Sequence, residues 1–220
     1  TNNILELYCS GKKNNFLLKC YKKGPSAARN MGINFSNGRY ISFLDVDDSI
    51  TNDKYSILYE AIIKNPQCKV VFGITRKKDA NNDWKNNNYG DIKVGENCAP
   101  SAGLLWLSQF QHQVHPGAIL GHRSSIKITG GFPEKLFFGE DIAFMVKLGL
   151  FLNSFYIEKL IYTKNDIPTS ITSTANKYMT TIERFFHFYK YFALEYFYKK
   201  REIDLFNYCF NIIEYDSFKI

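Results

Sequence analysis

Over about the first 160 residues, short continuous apolar runs alternate with stretches in which apolar residues recur at helical spacing. The runs at 40–44 and 70–74 predict strands buried on both faces, as is typical of the interior of a parallel sheet. The stretches 28–35 and 55–62 have the period of a helix with one buried face. This alternation predicts an α/β fold in which helices flank a mostly parallel sheet.

The remaining patterns define the outer parts of this fold. Apolar runs at 16–21 and 155–162 predict two further strands. Residues 76–100 are polar, rich in asparagine and without a period, which favours a functional lid or a disordered loop. We expect one α/β domain over 1–170. The helical and strongly aromatic pattern near the end predicts a C-terminal helical extension over 171–220.

Composition and charge narrow the class of protein. A formal charge of +7 and 16% aromatic residues reflect either the codons of an AT-rich genome or a basic surface for anionic lipid. Five widely spaced cysteines form no CxxC zinc pattern and no obvious disulfide framework, which indicates reduced thiols. No apolar run approaches the roughly 18 residues that span a bilayer. We expect a cytoplasmic protein, with contact to the inner face of the plasma membrane as the open alternative.

The aromatic and basic residues of 182–201 leave the role of the C-terminal extension open. A helical hairpin packed on the domain would bury the aromatic side chains. A peripheral contact with anionic lipid would place the same aromatics among headgroups and the lysines against negative charge. The pattern is compatible with both arrangements.

Three aspartates follow directly after the apolar run 40–44, where open α/β sheets bind their ligands. In an extended segment Asp45 and Asp47 point the same way, because side chains alternate. Carboxylates this close repel one another, and Mg²⁺ or Mn²⁺ is a natural compensation. The alternative is a solvated acidic turn that caps the next helix, and the spacing of Asp45, Asp47 and Asp48 leaves both interpretations open.

A second acidic pair, Glu140-Asp141, is predicted to begin a helix. Acidic residues are common there because the helix dipole favours them, so the pair alone indicates little. Its position after the turn at 130–132 and beside the apolar pair at 137–138 would also suit a general base. His115 precedes that turn without any metal-binding spacing, which favours a structural role or a place at the rim of a site.

Two ordered sequence blocks resemble those of a known family. Residues 24–33 and 38–48 are similar to the central block of family 2 glycosyltransferases. Residues 130–132 and 139–142 resemble its acceptor-side block, in the same order, and the resemblance extends over about 1–170. It implies a GT-A fold, with a Rossmann-like sheet, and an inverting, metal-dependent transfer from a nucleotide-diphosphate sugar with Mn²⁺ or Mg²⁺.

The resemblance also implies roles for individual residues. Asp45 would contact the ribose of the donor, Asp47 would hold the metal through a DxD motif, and Arg29 would lie against the nucleotide. Asp141 would be the catalytic base that takes the proton of the acceptor hydroxyl. Three further residues are expected on the acceptor side: Phe132, His115 and Glu140.

The sequence departs from the family pattern in three places. Lys22 stands where the family usually has an asparagine, and the stretch 162–166 lacks the histidine that often supplies a further ligand. The chain begins at a point that resembles the inside of the domain, so the opening strand–helix–strand that cradles the nucleotide base is expected to be missing. We therefore expect this chain alone to bind donor weakly or not at all.

The resemblance favours an enzyme that transfers a hexosyl or N-acetylhexosaminyl group from a UDP-sugar to a glycan or lipid-linked acceptor in cell-surface polysaccharide synthesis. A sugar nucleotidyltransferase would share the sheet and the acidic site, with a glycine-rich phosphate loop as its mark. The third class is a non-catalytic basic module for acidic glycan or nucleic acid. Since the positive charge is scattered and no nucleic-acid motif is present, we expect no nucleic-acid partner.

Overall fold

The computed structural model describes residues 6–7, 9–78, 81–108, 114–136 and 139–165. The predicted extension over 171–220 and the apolar pair at 137–138 lie outside these residues. No helix within the described ranges is long and apolar enough to cross a membrane.

A mixed sheet with helices against it forms the centre of the described structure. The helices that flank the sheet are α1 (Pro25–Phe35), α2 (Lys54–Lys64), α3 (Ser101–Ser108), α4 (Arg123–Ile128) and α5 (Glu140–Phe151). The strands are β1 (Tyr40–Ile41), β2 (Ser49–Ile50), β3 (Val70–Lys78), β4 (Trp84–Asn86), β5 (Gly95–Asn97), β6 (Ile119–His122) and β7 (Ser154–Thr163). A short 3₁₀ helix, Pro116–Ala118, leads into β6.

Strand order in the sheet is β1-β6-β3-β7-β2, with β4 added to β3 and β5 added to β7. The α/β class is confirmed, but the strand directions differ from the prediction of a mostly parallel sheet. Among the described pairs, β3 and β7 run parallel and the others run antiparallel. A continuous apolar run indicates a strand that is buried on both faces. Ile119 and Leu120 of the antiparallel β6 are buried, as are the apolar residues of β3. The apolar pattern therefore does not distinguish a parallel strand from an antiparallel one.

The core lies where β3 and β7 meet α3. Phe72 of β3 stacks on Tyr156 of β7 with ring centroids 5.2 Å apart, and Trp106 of α3 meets the same Phe72 ring edge-on at 5.6 Å. Each fully buried side chain of this size contributes about 1.5–3 kcal/mol to stability. This rigid centre fixes the two strand ends that carry the candidate site.

The structure corrects two sequence predictions about the outer segments. The run at 16–21 forms no strand, and Phe16 is 64% exposed while its ring packs against Phe35 of α1. The stretch 76–100 is not a disordered loop, because it contains β4 and β5, and its function as a lid stays a prediction. Tyr89 anchors it by donating to the carbonyl of Gly73 at 3.0 Å from a buried position. Single anchoring residues produce no periodic signal.

Candidate active site

The three aspartates after β1 lie in a tight turn. The backbone N–H of Asp48 donates to the carbonyl of Asp45 at 3.1 Å, and Val46 at the centre of the turn is fully exposed. Of the two backbone forms that the spacing left open, the segment is therefore a turn and not the extended form in which Asp45 and Asp47 would point the same way. The turn brings its two ends, Asp45 and Asp48, together.

Asp48 is attached to the end of β7. Its Oδ2 accepts a hydrogen bond from the hydroxyl of Tyr162, and its Oδ1 accepts one from the backbone N–H of Asn165 at 2.8 Å. The side-chain amide of Asn165 donates to the carbonyl of Asp47 at 2.7 Å. Burial, and then the hydrogen bond and charge of Asp48, raise the pKa of Tyr162, so its hydroxyl keeps the proton that it donates.

Arg29 of α1 joins the turn to the N-terminus of α5. Its Nη2 donates to both carboxylate oxygens of Asp45 at 3.0 Å, and its Nη1 donates to Oε1 of Glu140 at 3.4 Å. The guanidinium also lies over the ring of Phe132, 5.1 Å from the centroid. Burial lowers the pKa of Arg29, but the charges of Asp45, Glu140 and Asp141 more than offset this and leave the pKa above its ordinary value.

Asn30, the next residue, holds the turn that carries Phe132. Its Oδ1 accepts from the backbone N–H of Phe132 at 2.8 Å, and its Nδ2 donates to the carbonyl of the same residue at 2.8 Å. Gly131 has φ +63°, and a Cβ there would lie 2.6 Å from Oδ1 of Asn30. The neighbouring residues Arg29 and Asn30 thus tie the central sequence block to the acceptor-side block.

Glu140 and Asp141 form the first turn of α5, after Gly139 in the left-handed conformation. Oδ1 of Asp141 accepts from the backbone N–H of Ile142 at 2.8 Å. Burial, and then the charge of Asp141, raise the pKa of Glu140 above its usual range, although Arg29 opposes the shift. The helix dipole favours the ionised form of Glu140.

His115 lies between the two acidic clusters. Its Nδ1 accepts from the backbone N–H of Gly117 at 3.1 Å, and its Nε2 lies 3.8 Å from Oδ2 of Asp45. The ring stacks on Tyr162 with centroids 4.9 Å apart. Burial lowers the pKa of His115, although Asp141 and Asp45 oppose the shift. The neutral ring, with Nδ1 as acceptor, carries its hydrogen on Nε2, towards Asp45.

Lys54 holds the backbone at Gly117, two residues after His115. Its buried ammonium donates to the carbonyl of Gly117 at 2.6 Å and lies 5.5 Å from the centroid of the Tyr162 ring. Burial lowers the pKa of Lys54 from 10.5 to about 8. A Cβ on Gly117 would clash with the Tyr162 ring, so glycine is required at this close approach.

Sequence reasoning missed Lys54 and Tyr162. A signal for Lys54 was present, because it precedes Leu58 and Ile62 by four and eight residues and shares their buried stripe. Tyr162 gave no signal beyond its place in an apolar strand. Among the residues predicted for the site, the structure brings together Arg29, Asp45, Glu140, Phe132 and His115, with the charge of Asp141 beside them.

Potential ligand atoms of Asp45, Asp48 and His115 lie within 4.8 Å of one another. Asp47, the predicted metal ligand, is not a member of this group. Carboxylate oxygens suit Mg²⁺ and Mn²⁺, and each of these oxygens retains lone-pair capacity beside its present hydrogen bond. The two carboxylates therefore fit such an ion, whereas the Nε2 of His115 carries a hydrogen and fits the role of a donor.

The model of glycosyl transferase family 2 matches residues 1–128, which include Arg29, Asp45, Asp48 and His115 but not the acidic pair of α5. An uncharacterized glycosyltransferase of Rickettsia conorii is 42% identical over 67 residues, 30% of this chain and 11% of that protein. One of Haemophilus influenzae is 38% identical over 64 residues, 29% of this chain and 24% of that protein.

The fold is similar to that of solved S. aureus proteins. The crystal structure of TarS 1-349 in complex with UDP-GlcNAc matches with a TM-score of 0.60 and 17% identity, over 84% of this chain and 51% of that chain. The structure of TarS 1-349 matches with a TM-score of 0.57 and 19% identity, over 75% of this chain and 47% of that chain. The likeness confirms the expected GT-A-type fold, and the chain spans about half of these structures.

Proposed function

Because the chain belongs to glycosyl transferase family 2, we propose that its acidic cleft performs an inverting sugar transfer from a nucleotide-diphosphate donor to a hydroxyl of a glycan or lipid-linked acceptor. One observation carries the proposal. Arg29 binds Asp45 in the turn and Glu140 on α5 at the same time, so two acidic clusters far apart in the sequence line one site. The match to the family supports transfer over nucleotidyl transfer and over a non-catalytic module.

Asp45 and Asp48 would hold a divalent cation, Mn²⁺ or Mg²⁺. When bound, such an ion supplies positive charge against the diphosphate that leaves. Asp48 is supported as a ligand because Tyr162 and Asn165 fix both of its oxygens next to Asp45. The assignment of Asp47 as ligand stays a prediction from the family resemblance.

Asp141 would act as the general base. Its Oδ1 is held by the N–H of Ile142, which leaves Oδ2 for the proton. In the step, the acceptor oxygen passes its proton to Asp141 and bonds to the anomeric carbon from the face opposite the diphosphate. The bond between that carbon and the diphosphate oxygen breaks, and its electron pair leaves with the diphosphate. Arg29 orients Asp45 and Glu140 around this position.

His115 would donate the Nε2 hydrogen to an oxygen of the donor. The acceptor role of its Nδ1 and the lowered pKa support a neutral ring with that hydrogen in place. Stacking on Tyr162 and the support of Gly117 by Lys54 limit the movement of the ring. A preorganised donor of this kind costs little reorganisation when charge develops.

We take a UDP-sugar as the donor, since the similar TarS structure is a complex with UDP-GlcNAc. The transferred group would be a hexosyl or an N-acetylhexosaminyl group. Growth of a cell-surface polysaccharide at the cytoplasmic face of the membrane would suit such a transfer.

The test combines binding and turnover. Calorimetric titration of the full chain with UDP up to millimolar concentration, in the presence and absence of Mn²⁺, detects even weak binding. We expect binding that requires Mn²⁺ and is lost in Asp48→Asn. Release of UDP from UDP-GlcNAc or UDP-glucose should fall by about 10²–10⁴ in Asp141→Asn with UDP affinity unchanged. UDP binding that needs no Mn²⁺ and survives Asp48→Asn, or UDP release that is unchanged in Asp141→Asn, would contradict the proposal.

A further inference from the structure

A cationic aromatic face lies on the hairpin of β3 and β4. Lys78 pairs directly with Trp84 and Arg76 pairs with Asn86, so alternation puts Arg76, Lys78 and Trp84 on one face of the hairpin. The guanidinium of Arg76 lies 4.8 Å from the centroid of the Trp84 ring, and the ammonium of Lys78 lies 5.4 Å from it. Trp84 is nevertheless 44% exposed. We call these three residues the hairpin face.

The hairpin face begins next to the candidate active site. The backbone carbonyl of Arg76 accepts a hydrogen bond from the N–H of Lys164 at 2.8 Å. The Nε of the Arg76 side chain donates to Oγ1 of Thr163 at 3.0 Å. The next residue, Asn165, donates its backbone N–H to Asp48. Because a strand rises about 3.3 Å per residue, Lys78 lies only about 7 Å further along β3 than Arg76. A chain-like ligand in the cleft could therefore reach this face.

The chemistry of the hairpin face favours a ligand that is both anionic and carbohydrate. Two cations that share one indole ring repel each other, and an anionic group between them would relieve this repulsion. The exposed part of the indole offers an apolar surface for the C–H face of a sugar ring. Lys77 adds positive charge on the opposite side of the same strand. A lipid surface would need further exposed apolar side chains here, whereas the residue paired with Arg76 is the polar Asn86.

We propose that the hairpin face is an acceptor subsite that binds the acidic group, phosphate or carboxylate, of an anionic glycan. The assignment as an acceptor subsite rests on the proposed function, but binding of an anionic glycan to this face can be tested without that function. The cations would hold the acidic group while Trp84 contacts a neighbouring sugar. Acceptor choice would then depend partly on charge outside the catalytic cluster.

Trp84 provides its own reporter. The chain has two tryptophans, and Trp106 is only 1% exposed, so ligands at the hairpin face should change the emission of Trp84. The full chain is titrated with phosphorylated dextran, carboxymethyl dextran and neutral dextran of equal length. We expect a saturable change with the acidic polymers and none with the neutral one, and the two acidic arms distinguish phosphate from carboxylate. The change should disappear in Trp84→Phe.

Matched charge variants separate the hairpin face from the general positive charge of the chain. Lys78→Glu should weaken binding of the acidic dextrans about tenfold, as expected for the loss of one charge-assisted contact. Lys64→Glu changes the net charge equally at an exposed site at the end of α2, outside the hairpin, and should have little effect. Equal weakening by both variants, or a signal that survives Trp84→Phe, would overturn the proposal.

Two further measurements keep the outcomes distinct. Vesicles with anionic lipid, compared at equal concentration of negative charge, should change Trp84 emission less than the dextrans, and the reverse would indicate a membrane surface instead. Lys78→Glu should leave Mn²⁺-dependent UDP binding unchanged. If the wild-type chain binds acidic dextran but UDP release is unchanged in Asp141→Asn, the hairpin face stands as a glycan site and the proposed transfer fails.

Discussion

The hydroxyl of Tyr162 donates a hydrogen bond to Oδ2 of Asp48, which lies 114 positions earlier in the chain. The same tyrosine stacks its ring on His115 and lies against Gly117. One fully buried side chain therefore fixes both a carboxylate and an imidazole of the candidate site. Because β7 holds the buried Tyr162 between β2 and β3, the geometry of the site depends on the packing of the core.

Tyr162→Phe keeps the ring and removes this hydrogen bond. We expect Asp48 to become mobile and the affinity for Mn²⁺ to fall severalfold. The free energy of unfolding should fall by about 1–3 kcal/mol, because the lost bond is buried and made to a charged group. Calorimetric titration with Mn²⁺ and urea unfolding measure the two effects.

Tyr156→Phe is the matched control, since it removes the same atom from the same strand. Tyr156 is buried against Phe72, away from the aspartates. Its variant should bind Mn²⁺ as the wild type does. An unchanged Mn²⁺ affinity in Tyr162→Phe would mean that Asp48 needs no support from β7.

The identity of the metal ligand is tested by Asp48→Asn and Asp47→Asn side by side. The ligand atoms of Asp45, Asp48 and His115 lie together, and Asp47 is not among them. We expect Asp48→Asn to weaken Mn²⁺ binding at least about tenfold, since one charged ligand is lost, and Asp47→Asn to weaken it less. A larger loss in Asp47→Asn would favour the ligand that the family resemblance implies.

Parts of the fold were predictable because burial leaves a local pattern. The apolar run at 70–74 and the helical spacing at 28–35 gave β3 and α1, since each depends on residues close in the chain. The directions of the strands were not predictable in this way. The antiparallel pairing of β3 with β6 depends on contacts between residues about 50 positions apart.

The candidate site was likewise predictable only in part. The acidic cluster after the apolar run 40–44 already indicated Asp45, whereas Arg29 was indicated only by the ordered family blocks, and the structure pairs the two residues. The spacing of the aspartates suggested an extended segment, because alternation of side chains assumes a strand and a turn breaks it. The bond from Tyr162 to Asp48 joins positions with no local relation, so single-sequence reasoning could not find it.

Arg29→Gln tests the link between the two acidic clusters. Without the guanidinium, Asp45 and Glu140 face each other with no cation between them, and their repulsion grows. We expect the free energy of unfolding to fall by about 1–3 kcal/mol and to recover partly in added salt. Arg123→Gln is the control, because the side chain of Arg123 donates its Nε hydrogen to the carbonyl of Gly38 in an exposed hydrogen bond. Equal loss in the two variants would assign no special role to Arg29.

Lys54→Met tests the buried ammonium through pH. Below about pH 8 the folded and unfolded states both hold the proton, and the full cost of burying the charge is present. Between about pH 8 and 10.5 the folded state loses the proton while the unfolded state keeps it, so stability rises with pH. The unfolding free energy of wild type relative to Lys54→Met should rise by about 3 kcal/mol over this range. Urea unfolding at several pH values measures it, and a difference between the two proteins that does not change with pH would contradict the prediction.

Gly131→Ala tests the turn that joins Asn30 to Phe132. Alanine would be strained at φ +63°, and its Cβ would lie 2.6 Å from Oδ1 of Asn30. Both effects act in the same direction, and we expect a loss of about 1–3 kcal/mol in urea unfolding. Gly32→Ala gives the opposite expectation. Gly32 lies inside α1, and a Cβ there would meet nothing within 4 Å, so alanine should stabilise by about 0.5–1 kcal/mol. If Gly131→Ala were as stable as the wild type, the bonds from Asn30 could not be what fixes Phe132 beneath Arg29.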